Sequence, residues 1–200
     1  MTAQPVRPPR NRRIAVLLSG GGRTLMNILD RIREDRLDAE VALVVASREC
    51  VGAQRARDAG LPVRVISGVI PADRLRELLA DADVSLVALA GYLQRVDIPH
   101  EWAGRVLNIH PALLPAHGGR GMYGERVHRA VLDSGADQSG CTVHLCDGAY
   151  DTGPILEQCA CAVLPDDDVN ALADRVFQLE CDLYPRVIGK RLNAIGRGDA

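Results

Sequence analysis

The residues best suited to chemistry are Asn108 and His110, two positions apart at the end of a short run, residues 104–107. In a β-strand alternate side chains share a face, so this amide and this imidazole point the same way. Pro111 donates no hydrogen bond to a sheet and favours an extended conformation at His110. Each polar residue alone indicates only a strand that ends in polar residues. The pair predicts a hydrogen-bond donor beside a titratable base where parallel α/β sheets bind ligands.

A second candidate site is the glycine-rich turn of residues 19–24, between an apolar run and apolar residues at helical spacing. Glycines in such a turn bring backbone N–H groups close to an anion at the helix N-terminus. Arg23 and Thr24 add a charge and a hydroxyl. Leu25 replaces the third glycine of the dinucleotide motif and the turn lacks a phosphate-loop lysine. The turn therefore predicts a site for one phosphate group, with a tight turn that binds no ligand as the alternative.

The remaining pattern supplies elements that position these residues. Apolar runs at residues 13–18, 41–46 and 84–90 predict strands buried on both faces, and amphipathic helices separate them. This alternation predicts an α/β fold: a single-domain, doubly wound, mostly parallel sheet with helices on both faces.

The ends of the chain are predicted to differ from its middle. Residues 1–12 are rich in proline and arginine and are expected to form a disordered tail. Residues 13–190 are expected to form the folded domain, and residues 191–200 are expected to fray.

Composition narrows the function further. The chain has 200 residues, 47% of them hydrophobic, and a net charge of −2, which suits one soluble domain. That charge argues against a nucleic-acid partner. Six cysteines without C-x-x-C pairs or zinc-type histidine spacing predict no metal, reduced thiols and a cytoplasmic location. No run approaches the roughly 20 apolar residues of a membrane span.

Three segments together resemble the formyltransferases that use 10-formyltetrahydrofolate. They are Asn108-Ile-His110-Pro-Ala-Leu-Leu-Pro115, Asp151-Thr-Gly-Pro154 and the turn of residues 19–24. The resemblance extends over about residues 13–190 and implies a Rossmann-like fold. It is greatest to members that formylate phosphoribosylglycinamide in purine synthesis. It implies 10-formyltetrahydrofolate as co-substrate, this ribotide and the formylfolate as small-molecule partners, no metal, and a monomer or homodimer.

The resemblance also implies a catalytic trio of Asn108, His110 and Asp151. The substrate amine would attack the formyl carbon while Asn108 and a protonated His110 stabilise the oxyanion, for about 3 kcal/mol per donor. Asp151 would hold His110 protonated. Asp151 or an ordered water would relay the amine proton to the departing folate nitrogen.

Binding residues follow from the same resemblance. The phosphate loop is matched by Gly21, Gly22, Arg23 and Thr24, although many members carry Ser-Asn at positions 23 and 24. Glu180 matches the acid that contacts the ribose hydroxyls, and a solvated helix carboxylate is its alternative. The folate pocket is expected to use Leu89, Leu93, Gln94, Val96, Cys146, Ala149 and Asp151. Many relatives have Arg at the place of Gln94.

Residues 118–124 form a glycine-rich loop that is longer than in common bacterial members. It is expected to act as a lid over the ribotide, with Arg120 and Tyr123 as contacts. Two roles stay open for His144. It either supports the catalytic trio from behind or is a core imidazole whose hydrogen bonds are satisfied. His100, His117 and His128 are expected at the surface.

Two rival functions stay open. One is a folate-dependent formyltransferase that acts on an amino sugar or another small amine, and the phosphate-type turn disfavours it. The other is a folate- or ribotide-binding module without catalysis, and the complete trio disfavours it. Relatives that formylate methionyl-tRNA carry a C-terminal extension, and the formylfolate hydrolases carry an N-terminal regulatory domain. We expect neither addition here.

Overall fold

The apolar runs form the middle of a seven-stranded sheet in the computed structural model, which describes residues 10–198. The strands are β1 (Arg13–Leu18), β2 (Glu40–Ala46), β3 (Val63–Val65), β4 (Leu86–Leu89), β5 (Val106–His110), β6 (Gln138–Leu145) and β7 (Ile155–Ala162). The helices are α1 (Arg23–Arg33), α2 (Val51–Asp58), α3 (Ala72–Asp81), α4 (Glu125–Asp133) and α5 (Val169–Arg197). Short 3-10 turns occur at Arg10–Arg12 and His100–Trp102.

The strand order is β3-β2-β1-β4-β5-β6-β7. The first five strands along the chain pair in parallel, whereas β6 is antiparallel to both β5 and β7. Helices α1, α2, α4 and α5 contribute buried residues to one face of the sheet, and α3 packs on the other. The predicted doubly wound, mostly parallel α/β fold is confirmed.

The sheet brings three chain segments to one edge. Strands β1, β4 and β5 are parallel neighbours, so their carboxyl ends and the loops that follow them lie side by side. From β1 the chain first adds strands on one side of the sheet (β2, β3) and then on the other side (β4, β5). Open α/β sheets form a ligand-binding crevice at such a reversal, which here lies between β1 and β4. The Tyr184 hydroxyl on α5 donates to the carbonyl oxygen of Leu89 over 2.9 Å, joining the last helix to this edge.

Both predicted chain ends need correction within the described residues. Arg10–Arg12 form a 3-10 turn, and Arg12 is anchored by Asn193 at 2.8 Å and by Asp38 at 3.2 Å. Helix α5 does not fray after residue 190 but continues to Arg197, because Leu192 packs fully buried in the core. Residues 1–9 of the predicted tail, and residues 199–200, lie outside the described residues.

Candidate active site

Asn108 and His110 share a face of β5, and the antiparallel strand β6 determines what lies opposite them. In that register Asn108 is paired with His144 and His110 with Thr142. Directly opposed residues on antiparallel strands bring their side chains into contact. His144 therefore lies beside the predicted catalytic pair rather than in the general core.

The Asn108 amide donates to two neighbours. Its Nδ2 lies 3.1 Å from Nε2 of His144 and 3.3 Å from Oδ1 of Asp151. Nδ1 of His144 lies 2.9 Å from the carbonyl oxygen of Leu145, which only accepts, so this nitrogen donates and Nε2 accepts from Asn108. The network orients the amide and fixes the tautomer of His144.

His110 is buried, and both of its ring nitrogens face partners. Nε2 donates to the carbonyl oxygen of His117 over 2.9 Å, and Nδ1 lies 3.5 Å from Oδ2 of Asp151. Burial lowers the pKa of His110 below its ordinary value, and this outweighs the opposite effect of the Asp151 carboxylate and the His117 carbonyl. The neutral imidazole with a proton on Nε2 is therefore favoured at neutral pH.

Asp151 is held from several sides in a loop between β6 and β7. Burial acts to raise its pKa, but the nearby His144 and His110 side chains lower it below the ordinary value. The N–H of Gly119 also donates to its Oδ2 over 2.9 Å. Asp151 has a φ of 58°, a left-handed conformation that is uncommon for a residue other than glycine. The carboxylate therefore stays charged at neutral pH and is oriented by the surrounding loops.

The turn after His110 is anchored by Thr142. Its hydroxyl donates to the carbonyl oxygen of Ala112 over 2.7 Å and accepts from the N–H of Leu114 over 3.0 Å. Gln158 on β7 adds a bond of 2.9 Å to the same hydroxyl. All three bonds support the backbone that leads from His110 into the glycine-rich loop.

A cavity of about 600 Å³ at this edge brings the predicted site residues together. Its wall includes Asn108, His110, Asp151, Leu89, Leu93, Gln94, Val96, Cys146, Ala149, Arg23, Thr24, Glu180, Arg120 and Tyr123. Gly21 and Gly22, also predicted for the phosphate site, do not contribute to the wall. Gly22 is buried instead, because it packs against the backbone of Gly52.

One end of the cavity is formed by α1 and α5. The Arg23 guanidinium lies 3.9 Å from the ring centre of Phe177 and 3.0 Å from Oδ1 of Asp174. Removal from water raises the pKa of Glu180 to about 8, against the lowering effect of Arg23. A cation and an acid whose pKa is raised thus face the same end of the cavity.

Several residues of the cavity wall are not predicted from the sequence. His128 was expected at the surface but is buried and lines the cavity, since it lies beside Val127 on the inner face of α4. His117 is half-buried, whereas His100 is exposed as expected. Phe177 lies one helical turn before Glu180, a spacing that could have identified it. Tyr92 lines the cavity with a buried hydroxyl that has no partner among the described residues.

Residues 119–124, most of the loop that is predicted to act as a lid, line the same cavity. Tyr123 is exposed, and the guanidinium of Arg126 lies 4.9 Å from its ring centre. Arg120 is exposed at the cavity wall. Gly119 of this loop contacts Asp151 through its N–H, and His117, just before the loop, contacts His110 through its carbonyl oxygen.

Residues 10–198 contain no group of three or more His, Cys, Asp or Glu side chains placed to hold a metal ion. Over the same residues, no helix is long and apolar enough to cross a membrane.

Comparison with known proteins decides the family. The family model described as "Formyl transferase" matches residues 12–188. The chain belongs to the formyl transferase family. Among solved structures, this formyl transferase resembles glycinamide ribonucleotide transformylase 1 from Symbiobacterium toebii, with a TM-score of 0.81 and 35% identity over 97% of this chain and 94% of that one.

Curated relatives agree with this family membership. The chloroplastic phosphoribosylglycinamide formyltransferase of Arabidopsis thaliana is 42% identical over 192 residues, which are 90% of this chain and 65% of the relative. The corresponding protein of Vigna unguiculata is 41% identical over 90% of this chain and 60% of its own length. This formyl transferase therefore spans less than two thirds of the length of these relatives.

Proposed function

We propose that the protein transfers the formyl group of 10-formyltetrahydrofolate to the amine of phosphoribosylglycinamide, a step of purine biosynthesis. The observation that carries the proposal is the convergence of Asn108, His110 and Asp151 on one cavity wall, with contacts of 3.3–3.5 Å to the carboxylate. Arg23 and Glu180 at the end of the same cavity suit a phosphate and sugar hydroxyls. The names of the relatives agree with this substrate.

The folate would occupy the part of the cavity lined by Leu89, Leu93 and Val96. These apolar side chains suit a flat heterocycle, because ligand cavities combine apolar walls with a few placed polar groups. Gln94, Cys146 and Ala149 complete this part of the wall. The formyl carbon would then lie near Asn108 and His110.

In the proposed reaction the amine nitrogen attacks the formyl carbon and negative charge collects on the formyl oxygen. An N–H donor at that oxygen stabilises the charge. The N–H groups of Asn108 and His110 already have acceptors, namely His144, Asp151 and the His117 carbonyl. Donation to the formyl oxygen therefore requires one of these bonds to be shared or exchanged.

Asp151 would accept the proton that the attacking amine must lose. Its pKa is low, so it is charged and able to accept at neutral pH. The proton then passes, directly or through a water, to the folate nitrogen as the bond from that nitrogen to the formyl carbon breaks. His110 next to Asp151 gains stabilisation if it becomes charged during this transfer.

The first test is a formyl-transfer assay with phosphoribosylglycinamide and 10-formyltetrahydrofolate, followed by the absorbance of the deformylated folate. We expect ribotide-dependent turnover that falls at least about 100-fold in His110→Ala and in Asp151→Ala. Turnover with an amino sugar but not with the ribotide would replace the proposed acceptor. Folate binding without turnover on either amine would instead favour a binding module.

Some expectations stay predictions. They are a cytoplasmic location, a monomer or homodimer, and the absence of a nucleic-acid partner. Gel filtration at two protein concentrations would decide the oligomeric state.

A further inference from the structure

The segment of residues 48–55, which leads into α2 and forms most of that helix, is bonded to the backbone of the glycine-rich turn at three successive residues. The bonds are Arg48 Nε to the oxygen of Ser19 (3.1 Å), Gly52 N–H to the oxygen of Gly20 (2.9 Å), and Arg55 Nη1 to the oxygen of Gly21 (2.9 Å). We call Arg48, Gly52 and Arg55 the α2 clamp. No other part of the predicted site is tied at three consecutive carbonyl groups by one neighbouring segment among the described residues.

These three bonds determine where the N–H groups of the turn point. In a trans peptide the N–H of the next residue is directed opposite to the carbonyl. Since the carbonyls of residues 19–21 face the α2 clamp, the N–H groups of residues 20–22 face away from it. Among the described residues no acceptor is found for any N–H of residues 20–24. Unpaired N–H groups ahead of a helix, together with the helix dipole, form an anion-binding arrangement.

The contact between the turn and α2 is also sterically close. A Cβ at Gly52 would lie 2.7 Å from the carbonyl oxygen of Gly20 and 3.0 Å from the nitrogen of Gly22. A Cβ at Gly22, whose φ is 74°, would lie 2.8 Å from the Cα of Gly52. Glycine at both positions lets the two backbones approach, and any larger residue at position 52 would displace the turn.

We propose that Arg48, Gly52 and Arg55 are positioning residues for the substrate phosphate, an assignment that rests on the proposed function. They hold the turn in the conformation that presents its free N–H groups to the anion. They act through the turn, and their two guanidinium groups add positive charge beside it. For Gly52 and Arg55, which hold the carbonyls of Gly20 and Gly21, we expect an effect on the phosphate of the amine substrate and none on the folate.

Arg55→Ala is the decisive variant, because the Arg55 side chain is exposed and its loss leaves the core intact. The KM for phosphoribosylglycinamide is expected to rise about tenfold, the effect of losing one hydrogen bond to a loop carbonyl. The kcat and the KM for 10-formyltetrahydrofolate are expected to stay unchanged. Arg57→Ala is the matched control, since Arg57 lies on the same helix but pairs with Glu49.

Gly52→Ala tests the close contact in the same way, and we expect a larger rise in the ribotide KM. Its matched control is Gly189→Ala in α5, where a Cβ meets only Leu37 Cδ1 at an ordinary 3.5 Å. A merely structural role predicts equal losses on every substrate. If Arg55 positions the phosphate, the variant should lose nothing on a substrate without one. Wild type and Arg55→Ala should then have equal kcat/KM on the form of phosphoribosylglycinamide that lacks its phosphate group.

Failure of the inference is distinguishable from failure of the proposed function. An Arg55→Ala enzyme with wild-type KM for the ribotide would overturn the inference and leave the formyl transfer standing. If the wild type does not formylate the ribotide, binding of inorganic phosphate by calorimetry decides instead. Weaker phosphate binding in Arg55→Ala than in Arg57→Ala then supports the inference, and equal or absent phosphate binding overturns it.

Discussion

The backbone N–H of Gly119 donates to Oδ2 of Asp151 over 2.9 Å. One partner lies in the loop after β5 and the other in the loop after β6, so two separate loops meet at one carboxylate. A Cβ at the neighbouring Gly118 would lie 3.3 Å from the Cβ of Asp151 and 2.4 Å from Leu114 Cδ2. The glycine-rich loop is therefore part of the frame around the predicted catalytic groups.

Replacement of Asp151 by Asn is expected to lower kcat at least about 100-fold, because the amide cannot take up the amine proton. Asn tolerates the left-handed φ of 58° at this position, so the loop should keep its conformation. Steady-state kinetics and circular dichroism would measure both effects. Asp35→Asn is the control, since Asp35 has a similar φ of 56°. Near wild-type kcat in Asp151→Asn would exclude the proton-transfer role.

Replacement of Glu180 by Gln is expected to change how stability depends on pH. The pKa of Glu180 rises from 4.5 to about 8 in the folded protein. Between these values the unfolded chain carries a charged carboxylate and the folded protein a neutral one, so wild-type stability falls as pH rises. Gln cannot ionise, and its advantage in free energy of unfolding should grow by up to about 1.4 kcal/mol per pH unit.

Urea denaturation at pH 5, 6, 7 and 8 would measure this difference between wild type and Glu180→Gln. Asp166→Asn, at an exposed position, serves as the control. A difference that stays constant from pH 5 to pH 8 would show that Glu180 is already charged in the folded protein.

Replacement of Thr142 by Val is expected to destabilise the protein by about 1–3 kcal/mol. Valine has nearly the same shape, but the N–H of Leu114 and the carbonyl of Ala112 lose their buried partner. Thermal denaturation would measure the loss. Thr152→Val, at an exposed residue, should cost less than about 0.5 kcal/mol. An equal loss of stability in Thr142→Val and Thr152→Val would mean that the hydrogen bonds of Thr142 do not stabilise the turn.

Closure of the lid is expected to protect the chain from trypsin at Arg120. This residue is exposed in a glycine-rich loop that lines the cavity, so a bound ribotide should order the loop around it. Mass spectrometry of limited digests with and without the ribotide would show slower cleavage after Arg120. Cleavage after the exposed Arg36, on the turn between α1 and β2, is the internal reference. Unchanged rates at both sites would contradict a lid.

Much of the architecture follows from local patterns in the sequence. Continuous apolar runs such as residues 13–18 predict strands buried on both faces, and the structure buries every residue of β1. The two-residue spacing of Asn108 and His110, followed by Pro111, predicts their common face and their place at the sheet edge. These features depend on neighbours within a few residues, which is the range over which hydrophobic periodicity is informative.

Other features arose only from tertiary structure. Asn108 and His144 are 36 residues apart in the sequence, and only the antiparallel register of β5 and β6 places them side by side. His128 is buried although its local pattern does not distinguish it from a surface histidine, because the packing of α4 decides which side faces the cavity.

By itself the sequence determined the order of strands and helices, the edge of the sheet that carries the site, and the residue types available there. Tertiary structure alone decided the partners of those residues: the His117 carbonyl on His110, the Gly119 N–H on Asp151, and the α2 clamp on the glycine-rich turn. The reason is physical. Periodicity and turn chemistry act between near neighbours, whereas hydrogen bonds between separate loops depend on register and packing that are established only when the whole sheet forms.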